Sequence, residues 1–113
     1  MKELLFDSTN PNDISNKVTD EVNTRKKFLT VARWAGREQD MLLLFVKFDK
    51  LLRTTDNPDK IKDISKIGAV ETYKLLSECF ASLKNSGAMV IQGLDSHRGE
   101  LYVDGELVCD DKG

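Results

Sequence analysis

The sequence is poor in the residues that mark catalysis and metal binding. It has one histidine, His97, and two cysteines, Cys79 and Cys109, which lie far apart with no second member of a metal pair beside either. Paired-cysteine and paired-histidine metal spacings are therefore missing, as are a glycine-rich phosphate loop and a nucleophile elbow. Asp95-Ser96-His97 contains the letters of a hydrolytic triad, but three adjacent residues cannot converge on one point as that mechanism requires. His97 with Asp110 and Asp111 makes a metal set only if the tail folds back onto the loop. The expectation is a protein that is not an enzyme, with no catalytic residue, no metal and no cofactor.

Other absences bound the class. No apolar run approaches the roughly 18 residues of a membrane span, so no membrane partner is expected. Met1-Lys-Glu-Leu-Leu-Phe-Asp7 is too short and too acidic for a secretion signal. The two cysteines fit a reducing compartment, with a single disulfide between them left open, and cytoplasmic is the default location. There is no internal repeat or low-complexity segment. What is present is ordinary for one globular domain: 113 residues, 40% hydrophobic and 32% charged.

Charge is unevenly spread. Residues 1–24 carry two basic and five acidic side chains, residues 25–98 fourteen and nine, and residues 99–113 one and five. A basic middle between acidic ends means either an anion-facing surface or ends that fold back and neutralise the centre.

Met41-Leu-Leu-Leu-Phe-Val-Lys-Phe-Asp-Lys-Leu-Leu52 is the most apolar stretch. A buried strand over 41–46 competes, but Phe45, Phe48 and Leu52, with Met41, Leu44 and Leu51 beside them, continue at helical spacing without glycine or proline. The run 41–46 is apolar on every face of a helix, which predicts a central, enclosed helix. Before it, Ile14, Val18, Val22, Leu29 and Ala32 predict an amphipathic helix over 12–35, capped by Asn10 or Asn12 near Pro11 and ended or bent by Gly36. Residues 2–6 read as an edge strand or an arm. After the central helix, Asp56 or Asn57 with Pro58 opens a short helix directing Ile61, Ile64 and Ile67 inward. Gly68 marks a break, and Val70, Tyr73, Leu76, Phe80 and Leu83 define a further helix ending at Asn85-Ser86-Gly87.

From Gly87 the period changes. Residues 88–92 read as a strand and 93–99 as a loop. Asp104-Gly105 between Glu100-Leu-Tyr-Val103 and Glu106-Leu-Val-Cys109 reads as a tight hairpin, because a type I′ turn needs positive φ at both central residues. The fold class is α+β. About four helices (12–86), preceded by 1–11, are closed by a C-terminal antiparallel hairpin or three-stranded meander (87–109) with a polar tail at 110–113.

Two function classes follow. The first is a non-enzymatic regulator that binds a protein partner, as an inhibitor, immunity or adaptor protein of phage or mobile-element type does. Its candidate contacts are Arg25, Lys26, Arg33, Trp34 and Arg37 on the first helix, with the only tryptophan as anchor, or Tyr102, Asp104 and Glu106 on the acidic hairpin. The second class comes from the order helix, short helix, turn, helix, strand, loop, strand. Ser82-Leu-Lys-Asn-Ser-Gly-Ala-Met-Val-Ile91, a polar loop with Arg98, and Glu100-Leu-Tyr-Val103 resemble the end of a recognition helix leading into the wing of winged-helix proteins. That resemblance implies a DNA-binding regulator with Lys60, Lys62, Lys66 and Lys74 beside phosphates and His97 and Arg98 at the wing tip. Glu71, Glu78 and a pI of 5.4 weigh against it and place protein binding first. A homodimer through the 12–35 helix suits either class.

Overall fold

The computed structural model describes residues 11–111, with side chains from Glu21 onward. The expected arm or strand over 2–6, Asn10, the side chain of Asn12 and the last two residues of the tail lie outside the described residues. Three helices, α1 (Pro11–Trp34), α2 (Glu38–Arg53) and α3 (Pro58–Asn85), are followed by β1 (Leu94–His97), β2 (Glu100–Val103) and β3 (Glu106–Asp110). The strands form one antiparallel sheet in the order β1-β2-β3.

Local chemistry sets most boundaries. Asn57 caps α3 by accepting from the Asp59 N–H at 2.9 Å, with Pro58 opening the first turn. Gly36 and Gly87 both take positive φ and end α1 and α3 in the same way. Arg37 N–H donates to Ala32 O at 2.6 Å, and Ala88 N–H donates to Leu83 O at 2.9 Å, the long closing bond of a Schellman motif. Asp104 (φ 51) and Gly105 (φ 82) make the expected tight turn. Arg98 (φ 49) and Gly99 (φ 83) make a second one, joining His97 to its partner Glu100.

Three expectations are corrected. There are three helices among the described residues, not about four, because Gly68 lies inside α3 and does not break it. One interior glycine costs a helix only about 1 kcal/mol relative to alanine. Here its bare backbone also admits a neighbour: a Cβ at Gly68 would stand 3.4 Å from the Phe48 ring. The turn that a helix-turn-helix requires at this point is therefore not formed. Second, residues 88–92 form no strand: 89–93 are turns, with Gln92 N–H donating to Ala88 O and Leu94 N–H to Met89 O. The first strand falls instead within the expected loop, and Val90 and Ile91 are left 90% and 84% exposed.

Third, α2 is not enclosed. Met41, Phe48 and Leu52 are buried, but Leu43 and Val46 are 60% and 63% exposed, because only one side of α2 meets the rest of the molecule. Ile67 and Val70, expected to face inward on α3, are exposed as well. The core centres on the second half of α3: Leu75, Leu76, Cys79, Phe80 and Leu83 pack with Val31 and Ala32 of α1, Met41 of α2, and Leu94, Leu101 and Val108 of the three strands. A bulge between Leu101 and Tyr102, which pair with Cys109 and Leu107, leaves Val108 as the extra residue of β3, and it is buried.

Candidate partner-binding site

The basic end of α1 is largely neutralised within the molecule. Arg25 donates both terminal nitrogens to Asp49 of α2, at 2.8 and 2.7 Å, and a further ion pair joins it to Glu21 at 3.1 Å. The hydrogen bond to Asp49 holds the Arg25 guanidinium charged against the desolvation that opposes it. Its Nε–H is buried without a partner, and the guanidinium carbon lies 4.7 Å from the centre of the Phe45 ring. Arg33 pairs with Glu38 at 2.6 Å, and that bond pulls the Glu38 carboxyl below its usual range. Arg37 bridges Asp40 and, at 3.2 Å, Glu78 of α3. These arginines fasten α1 to α2 and the α1–α2 turn to α3.

The remaining residues of that helix face meet the hairpin. Lys26, Lys27 and Trp34 of α1 and Val103, Asp104 and Glu106 of the β2–β3 hairpin line one groove of about 350 Å³. Lys27 reaches Glu106 across it at 3.2 Å, and Trp34 packs half-buried against the core. Lys26 and Trp34 from the α1 candidates and Asp104 and Glu106 from the hairpin candidates, named separately in the sequence, thus line a single groove that combines one aromatic side chain with charges of both signs. Asp104 is held there by the positive-φ turn and by its N–H, which donates to Gly93 O at 2.8 Å.

Tyr102 is not part of this groove. Side chains alternate along a strand, so Leu101 and Val103 face the helices while Tyr102 turns away. Its ring centre lies 5.7 Å from that of His97, whose Nε2 is 2.6 Å from Asp95. Arg98 occupies the β1–β2 turn, and Lys60, Lys62, Lys66 and Lys74 are all exposed on α3. None of these five lines the Trp34 groove.

A second concavity escaped the sequence. Phe28 of α1, Leu44, Phe45 and Phe48 of α2, and Gly68 and Ala69 of α3 surround an apolar hollow of about 320 Å³ that opens beside β3. Phe45 and Phe48 stood in the sequence as core candidates on the central helix, Phe28 was not singled out, and only the packing of the three helices reveals the space between these rings. Comparison with protein-family models, curated proteins and solved structures returns no match to this chain.

Proposed function

We propose that the chain is a regulatory protein without catalytic activity of its own that acts by binding a protein partner, in the manner of an inhibitor, immunity or adaptor protein of phage or mobile-element type. The observation that carries this reading is the Trp34 groove. Binding energy at protein interfaces concentrates on a few aromatic or arginine anchors seated in pockets and ringed by polar residues that exclude water. Trp34 between Lys26 and Lys27 on one side and Asp104 and Glu106 on the other has that composition. The rim charges orient a partner, and the indole supplies contact area.

Trp34→Ala tests this with the full chain as bait. It should weaken capture of a specific partner by at least about 2 kcal/mol, roughly thirtyfold in Kd. A partner held equally by both chains, with the melting temperature unchanged, would remove the groove from the interface.

A duplex-binding regulator is the second reading, supported by the exposed Lys60, Lys62, Lys66 and Lys74 on one uninterrupted helix. It lacks the helix break that a helix-turn-helix uses. Anisotropy of a random labelled duplex across a salt series separates the two readings. A steep fall of log affinity with log salt would promote DNA, and no binding at low salt would dismiss it.

A further inference from the structure

We propose that the apolar hollow between the three helices and β3 is a binding site for a neutral, compact aromatic molecule with a single hydrogen-bonding head. At about 320 Å³ the hollow is in the range of small-molecule sites. It shares only Val108 with the Trp34 groove, so it is a different site with a different class of ligand.

Its walls set the body of the ligand. Phe28 and Phe45 stand with ring centres 6.5 Å apart and mutually tilted, and Phe48 closes the side toward α3. Gly68 has no side chain to hold the Phe48 ring away, so that ring lies close against the α3 backbone. Ring-on-ring contacts in tilted or offset geometry add to what burial alone gives, so an aromatic body is favoured over an aliphatic one of equal size. An apolar cavity of about 150 Å³ accepts one benzene ring, and a body of two fused rings is therefore the size that suits this hollow.

Engaged charges and free hydroxyls set the head. The charged side chains on the lining are Glu21, Arg25 and Asp110, and each is already engaged within the chain. A charged ligand would lose its water without gaining a counter-charge, which disfavours either sign. The Cys109 thiol on the same wall is pushed up to about 11, by burial first and the charge of Asp110 second, as expected where water is scarce. The hydroxyls are different. Thr30, Thr54 and Thr55 bond back to backbone carbonyls of the preceding helical turn. Ser65 and Thr72, half-buried on the lining and about two turns apart on α3, make no hydrogen bond among the described residues. A hydroxyl both donates and accepts, so the pair suits a neutral head such as an alcohol, an N–H or a carbonyl.

The test uses one bicyclic body with three heads: naphthylmethanol, naphthylmethylamine and naphthoate, titrated at neutral pH into the full chain carrying ¹³C-labelled phenylalanine. The alcohol should shift the ring resonances of Phe28, Phe45 and Phe48 and bind at least about tenfold more tightly than the ammonium or the carboxylate. Removing both hydroxyls, Ser65→Ala with Thr72→Val, should weaken the alcohol about fivefold. Ala69→Leu, which fills the hollow from α3, should abolish the ring shifts, and Ala69→Val takes its place if that chain does not fold. The proposal falls if the alcohol moves none of these rings, if either ion binds as tightly as the alcohol, if the chain without the two hydroxyls holds the alcohol undiminished, or if an Ala69 variant, still folded by its melting curve, binds it unchanged.

Discussion

Cys109 shows how one residue records its surroundings. Its thiol, normally titrating at 9.0, holds its proton up to about 11, chiefly because burial disfavours the thiolate. Burial raises the Cys79 thiol in the core as well. A group that binds its proton more tightly when folded stabilises the fold fully below its unfolded pKa and loses that contribution as pH climbs toward its folded one. The denaturant midpoint should therefore be lower near pH 10 than near pH 8. Cys109→Ala should flatten that decline, and a slope unchanged by the substitution would locate the effect elsewhere. Arg25 teaches a different lesson at this scale. Its position in a basic stretch suggested a surface contact, but its side chain is only 22% exposed, because Asp49, twenty-four residues on, binds it in a two-pronged pair. No local pattern announces that partner.

Among elements, α3 makes the clearest case. Gly68 was expected to separate two helices, and a single 28-residue helix runs through it. Its backbone takes no positive φ, so alanine is conformationally acceptable there, and the nearest atom a Cβ would meet is the Phe48 ring at 3.4 Å. Gly68→Ala should raise stability by up to about 1 kcal/mol, read as an increase in melting temperature. A fall would mean that the Phe48 ring cannot yield. The elements that were legible are those decided locally: the Asn57-Pro58 start of α3, the glycine ends of α1 and α3, and the Asp104-Gly105 turn. Those decided across space were not. Leu94-Asp-Ser-His97 has little intrinsic strand character and pairs because β2 lies beside it. Leu43 and Val46 are exposed because only one side of α2 is covered. The candidate site divides in the same way, since Trp34, Asp104 and Glu106 could be named singly while their meeting in one groove could not.

At the scale of the whole molecule, most contacts join neighbours in sequence: α1 with α2, α2 with α3, β1 with β2, and β2 with β3. α1 also packs on α3, and β3 packs on both of these helices, bringing the third strand back to the first helix. A chain stopped after Val103 would lose Val108 from the core and leave β2 with one partner instead of two. It should keep helical circular dichroism but lose its sharp thermal transition. A melt as cooperative as that of the full chain would show that β3 is dispensable to the fold.

The return of β3 also sets an order in time. Both concavities have α1 as one wall and β3 as another, so each needs the two ends of the described chain together. During synthesis, α1 leaves the ribosome long before β3 does. Neither hollow exists until the final strand has emerged and docked. A chain that has not yet made β3 therefore forms neither concavity, and whatever depends on either one waits for that strand.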